Sequence, residues 1–355
     1  MTIDELTISV LKVLGAAMAA FVCVMLMTPL ATRLMHTYKL WKVQSGKTAL
    51  AGGNAHIFNA MHDETRTPRV GGILVWGSVL CVLALFWGLD KFTDHSLLEK
   101  FNFLSRSQTW LLAFTLAAAS LLGLADDILQ IGTSRTQAFK GGIDLVTRLV
   151  AVSLIALVGA LWFYYKLDWR TVYLPGVGVL FLGVWYIPFF ILTMLATFSG
   201  SVIDGIDGLA GGVLASAFAA YAGIAFFQNQ IDVAAFAAAI VGALLAFLWF
   251  NIPPAQFWMG ETGIIGLTTT LTVIAFFTDS VLILPIIAFP LVLASASDII
   301  QIIARRFFGT KVFRVAPIQH HFEAIGWPSY KVTMRFWVIS IACAIIGMAL
   351  ALVGR

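Results

Sequence analysis

"LLAFTLAAASLLGLADDILQ", residues Leu111 to Gln130, is apolar for about four turns of helix and then sets two aspartates side by side. With the residues before it, the apolar part covers 108–125, long enough to be read as a membrane-spanning helix. The adjacent acids raise a second question. Like charges at neighbouring positions repel unless a cation or a base neutralises them. The stretch therefore speaks to the fold first and to a site second.

Working outward, nine further apolar runs of similar length are read at roughly 7–30, 70–89, 143–163, 178–198, 208–227, 232–250, 263–278, 280–303 and 334–353. The run at 263–278 is short for a span, and the run at 280–303 carries Asp298. Only 11% of the 355 residues are charged, and mean hydropathy is +0.93, which excludes an ordinary soluble domain. No soluble module, low-complexity tract or internal repeat interrupts the pattern. The expectation is an all-α integral membrane protein of about ten spans, with residues 1–355 forming a single domain. The first run lacks a basic leader and ends in Thr28-Pro29-Leu30, so it does not read as a cleavable signal peptide. Cys23, Cys81 and Cys343 all fall inside predicted spans, which argues against a disulfide framework or a CxxC metal site.

Orientation is read from Lys and Arg, which concentrate in cytoplasmic segments. With the N-terminus outside, the inner segments hold 15 of the 22 Lys and Arg, and both termini face out. A basic inner face accounts for the formal charge of +4, so no nucleic acid is implied. The chemistry-bearing residues then fall on that same face. Asp126 and Asp127 end the third run; "SGSVIDGIDGLAGG" places Asp204 and Asp207 between the fifth and sixth; "NIPPAQFWMGETG" places Glu261 between the seventh and eighth. His320 and His321 lie between the ninth and tenth runs.

Each acid has a bland reading as a helix cap or a solvated edge residue, and taken singly none of them decides between that and a site. Taken together, five carboxylates, two histidines and the nearby Lys140 and Arg148 fit a Mg²⁺–phosphate site, because Mg²⁺ prefers oxygen ligands and completes its shell with water and substrate phosphates. Zinc fits less well, since acids dominate and no HExxH motif occurs.

These stretches resemble the polyprenyl-phosphate N-acetylhexosamine-1-phosphate transferase superfamily and, within it, the phospho-N-acetylmuramoyl-pentapeptide transferase family. "TPRVGGI" (Thr67 to Ile73) is similar to that family's TPTMGG, "GLADD" to its aspartate pair, "DGIDGLAGG" to its DGLDGLA block and "FWMGETG" to its FMGDxGS block. "APIQHHFEAIGWPSYKVTMRFWVIS" resembles its HHH-containing segment and is the most specific, pointing to the muramoyl branch. The resemblance implies a multi-pass enzyme of the bacterial inner (plasma) membrane, working as a homodimer in peptidoglycan biosynthesis. It would transfer phospho-N-acetylmuramoyl-pentapeptide from UDP to undecaprenyl phosphate, giving lipid I and UMP with Mg²⁺ as cofactor. It also implies catalytic roles for Asp126, Asp127, Asp207, His320 and His321. Metal binding would fall to Asp127 and Glu261, and substrate binding to Lys140, Ser201, Asp204 and Trp258, the last stacking on uracil.

The chain departs from the family at several of these places. Glu261 replaces an Asp, Gln319 replaces the first His of HHH, and Phe198 and Ser201 stand where asparagines are expected. Glu64 occupies the register of a basic residue, with Arg66 and Arg69 nearby. A relative acting on another UDP-sugar, such as UDP-N-acetylglucosamine, is the alternative. A transporter or lipid-binding protein ranks behind both, because its acids would lie near the bilayer midplane with repeat symmetry. For the histidine stretch, Gly326-Trp327-Pro328 favours an irregular loop that closes over the UDP-sugar.

Overall fold

In hydrocarbon every backbone N–H and C=O must pair within its own segment, so the apolar runs have little choice but to be helical. The computed structural model describes residues 3–41, 67–92, 102–104, 107–136 and 142–353. Its long helices are α1 (Ile3–Thr37), α2 (Gly72–Phe92), α3 (Ser107–Thr136), α4 (Leu145–Leu161), α5 (Tyr186–Ser199), α6 (Leu209–Phe227), α7 (Ile231–Asn251) and α8 (Gly260–Phe277). They are followed by α9 (Leu284–Ile287), α10 (Phe289–Phe308), α11 (Ile318–Ala324) and α12 (Ser329–Val353). Among the described residues nine helices are long and apolar enough to cross a membrane, or ten with the bent pair formed by α9 and α10. The protein is an all-α, multi-pass membrane protein.

α8 is the central post. Nearly all of its surface is enclosed, and it packs along α3. Its threonines return their hydroxyls to the preceding turn: Thr269 donates to the Ile265 carbonyl and Thr270 to that of Gly266, each at 2.7 Å. That keeps polar atoms satisfied inside an apolar bundle. α1 and α12 lie at the rim and leave large side chains such as Leu26, Leu30, Val338 and Ile345 uncovered, as a lipid-facing surface requires.

Three details differ from the sequence expectation. The run at 280–303 is not one straight span: Val281–Ile287 and Phe289–Phe308 are bent by 82° about Ala288. Pro290 sits in the first turn of α10, where its missing N–H is tolerated and a new helix starts readily. The run at 178–198 begins later, because Thr171–Leu174 (β1) and Gly178–Phe181 (β2) pair as an antiparallel hairpin in the register Thr171↔Phe181. Gly176, at φ +77, makes the reversal. Third, α3 does not stop at Asp126 but continues to Thr136.

The C-terminal end of α1 and the beginnings of α2, α4, α6, α8 and α12 gather at one end of the bundle, and the start of α1 and the end of α12 lie at the other. Near that opposite end Lys12 and Asp232 form a buried ion pair, and the Lys12 ammonium also donates to the Asn102 carbonyl at 2.9 Å.

Candidate active site

Adjacent residues on a helix point about 100° apart, so Asp126 and Asp127, both fully buried on α3, face different partners. Asp126 accepts from the Ile143 N–H at 2.6 Å and from the Gln130 amide at 2.8 Å, and pairs with Arg148 at 2.8 Å. Arg148 stands in the first turn of α4, whose start is set by Asp144. That carboxylate caps the helix by accepting from the Thr147 N–H at 3.0 Å and hydroxyl at 2.6 Å, contacts that hold it below the usual aspartate range. The Arg148 fork also reaches Glu261 at 3.0 Å and the Ile143 carbonyl at 2.9 Å. One cation thus ties α3, α4 and α8 together.

Asp127 instead faces the start of α8. One oxygen accepts from the Thr262 N–H at 2.9 Å; the other, Oδ1, is buried and has no hydrogen-bond partner among the described residues. Glu261 and Arg69 are its charged neighbours. The approach is close because two glycines permit it. A Cβ on Gly123 would overlap the Glu261 carbonyl, and one on Gly260 would overlap that of Arg69. Gly260 is also at φ +70, where a side chain is strained.

The segment leading into α2 is laced to this region. Trp258 N–H donates to the Pro68 carbonyl at 2.8 Å, while the N–H groups of Gly71 and Gly72 donate to the Trp258 and Met259 carbonyls at 2.9 and 2.8 Å. The Arg69 guanidinium lies 5.8 Å from the Trp258 ring.

Asp204 and Asp207 are not caps of α6. The cap position belongs to Gly208, at φ +75, and its N–H is taken by the Asn251 side chain at 3.1 Å. Asp207 accepts from the Trp258 indole at 2.9 Å and from the Ala255 N–H at 3.0 Å. Asp204 accepts from the Gly260 N–H at 3.1 Å. Both aspartates shape 255–260, the stretch that carries Trp258 and leads into Glu261. Ser201 lies on the short turn Gly200–Ile203 just before, its carbonyl accepting from the Asp204 N–H at 3.1 Å; Phe198 is buried at the end of α5.

The histidine stretch is ordered as a short helix, α11, rather than the irregular loop expected. His320 is 2% exposed, with Nδ1 2.7 Å from Glu323 and its ring edge against Gly205. His321 is half-buried, and its Nδ1 accepts from the Arg314 N–H at 3.2 Å. Gln319 donates to the Val202 carbonyl at 2.8 Å. Lys331 and Arg335 crowd the Trp327 ring, 5.1 and 4.2 Å from its centre.

The structure thus brings together Asp126, Asp127, Asp204, Asp207, Trp258, Glu261 and His320, from four separate motifs. Lys140, Glu64 and Arg66 lie outside the described residues. Among those described, no three His, Cys, Asp or Glu side chains stand close enough to make a ready metal cage. Arg148 entered the sequence reading only as a nearby cation; Asn251 and Glu323 did not enter it as site residues. Their signal was faint: a polar residue closing an apolar run, and an acid three residues after a histidine.

The profile of Glycosyl transferase family 4 matches residues 109–279, the part that carries both aspartate motifs and Glu261. A phospho-N-acetylmuramoyl-pentapeptide-transferase of Anoxybacillus flavithermus is 35% identical over 288 residues, covering 80% of this chain and 84% of the relative. The enzyme of the same name from Bacillus subtilis is 32% identical over 290 residues, at 80% and 84% coverage. That from Pelagibacter ubique is 31% identical over 314 residues, at 82% and 84%. Relatives this similar, aligned over this much of both chains, settle the matter: the chain belongs to the phospho-N-acetylmuramoyl-pentapeptide-transferase family.

Proposed function

We propose that the protein transfers phospho-N-acetylmuramoyl-pentapeptide from its UDP-linked donor to undecaprenyl phosphate, releasing UMP and forming lipid I at the cytoplasmic face. The observation that carries this reading is the convergence of five family motifs at one end of the bundle, around a buried carboxylate oxygen that no described residue hydrogen-bonds. A buried acceptor left without a donor is costly, so the site is built to receive a positive or hydrogen-bonding group there.

The donor chemistry fits Mg²⁺, which takes one or two carboxylates and fills its shell with water and phosphate oxygens. Asp127 and Glu261 would hold it, and when bound it would neutralise the diphosphate and ease departure of UMP. Phosphoryl transfer asks the protein mainly for positioning and charge. Asp126, committed to Arg148, Gln130 and Ile143, fixes the Arg148 fork beside Glu261. Asp207 holds the Trp258 indole N–H and so would fix the ring that stacks on uracil. Asp204 and Ser201 shape the turn next to it, and Lys140 supplies a further cation for the donor. The lipid phosphate is largely dianionic at neutral pH and needs little help from a base. The same family reading carries a single domain and a homodimer in the bacterial plasma membrane.

The test is purified protein with undecaprenyl phosphate, Mg²⁺ and a panel of UDP-sugars, assayed for UMP release. Turnover selective for the muramoyl-pentapeptide donor is expected. Preference for UDP-N-acetylglucosamine would move the protein to the alternative, and no turnover with any donor would remove the enzyme reading.

A further inference from the structure

Two adjacent histidines are usually treated as a pair, but here their surroundings differ in kind. The Nδ1 of His320 faces the Glu323 carboxylate at 2.7 Å, whose other oxygen accepts from the Ser329 hydroxyl. With Glu323 ionised both of its oxygens can only accept, and Nδ1 of His320 then carries the proton between them. The Nδ1 of His321 faces the backbone N–H of Arg314 at 3.2 Å. A backbone amide only donates, so this Nδ1 must be bare, and in the neutral ring the proton sits on Nε2.

Burial separates them in the same way. His320 is enclosed, its Nε2 edge pressed on Gly205 in the middle of the Asp204–Asp207 turn. His321 is half-buried, with its ring edge-on to Phe313. We propose that the two histidines are held in opposite Nδ1 protonation states and do different work. His321 presents an Nε2–H to an anionic oxygen of the donor. His320 is a positioning residue that, braced by Glu323, holds the 204–207 turn and through it the Trp258–Glu261 segment. The donor role rests on the transfer reading above; the protonation states do not.

Asparagine and glutamine separate these roles, because an Asn amide reaches about as far as Nδ1 and a Gln amide about as far as Nε2. His321→Gln should keep turnover within roughly tenfold, while His321→Asn should lose roughly 10- to 100-fold, the usual range for a hydrogen bond to a charged group, with melting temperature near parental in both. The order should invert at the neighbouring position. His320→Asn can still donate to Glu323 and should retain both kcat and melting temperature better than His320→Gln. Glu323→Ala should reproduce the His320→Gln defect. Imidazole ¹⁵N spectra of the parental protein provide a readout independent of activity: Nδ1 protonated in His320 and unprotonated in His321. Spectra showing the same Nδ1 state in both rings would overturn the proposal, as would an Asn/Gln order that is the same at the two positions. If no UDP-sugar is turned over at all, the transfer reading fails while the spectra still decide the protonation claim.

Discussion

Asp126 and Asp127 show how one residue's position on a helix decides its task. Asp126 is fully committed: an arginine, an amide and a backbone N–H use both of its oxygens. Asp127 is half committed: one oxygen accepts from the Thr262 N–H, and no described residue hydrogen-bonds the other. Asp127→Asn keeps an acceptor for Thr262 and relieves a buried charge. It should leave the melting temperature at or above parental while UMP release falls by roughly 100-fold or more. A variant that unfolds instead would make Asp127 a structural acid. Arg148→Met is the converse case. It strips the cation from buried Asp126 and from Glu261, a loss of about 3 kcal/mol for breaking an enclosed pair, read as a lowered midpoint in thermal unfolding in detergent. An unchanged midpoint would show that the pair adds nothing to the fold. The sequence announced that two neighbouring acids need neutralising. It did not say by what, because Arg148 reaches Asp126 and Arg69 nears Asp127 only once the fold brings distant segments together.

At the scale of elements, the glycines of the motifs work through absence of a side chain. Gly123 lies where α3 crosses the first turn of α8, and a methyl there would meet backbone rather than a side chain able to swing away. Gly123→Ala should therefore push the two helices apart and move the Thr262 N–H away from Asp127. The expected result is a destabilisation of about 1–3 kcal/mol, the usual cost of overpacking, with turnover reduced out of proportion to it. Parental stability and rate together would mean that the crossing is looser than it looks. Helix boundaries were legible where the bilayer dictates them, because length and apolarity have one solution in lipid. Breaks were not. Pro29 sits inside an unbroken α1, whereas the chain bends by 82° beside Pro290, so proline alone does not mark a bend. The hairpin at 171–181 was hidden in the same way: valine, leucine and phenylalanine serve a strand as readily as a span.

For the molecule as a whole, two independent observations coincide. Counting cations assigned one set of connecting segments to the cytoplasm, and the fold gathers the acids and histidines of those same segments at one end. The alternation of helices then fixes where every other connection must lie. Thr310, after α10, is exposed at the site end, and Asp168, after α4, is exposed at the other. The positive-inside bias predicts the first in the cytoplasm and the second outside. Single cysteines introduced at these two positions, in a background where Cys23, Cys81 and Cys343 are replaced by alanine, give the direct check. In intact cells a membrane-impermeant maleimide should label Asp168→Cys at once and Thr310→Cys only after the membrane is opened. Leu50→Cys and Thr136→Cys should follow position 310, and His95→Cys should follow position 168. Labelling of 168 and 310 from the same side would break the alternation, and the shared site would fall with it. The reverse pattern, with 310 outside and 168 inside, would keep the fold but invert it, leaving the site on the wrong side of the membrane for a nucleotide-linked donor made in the cytoplasm.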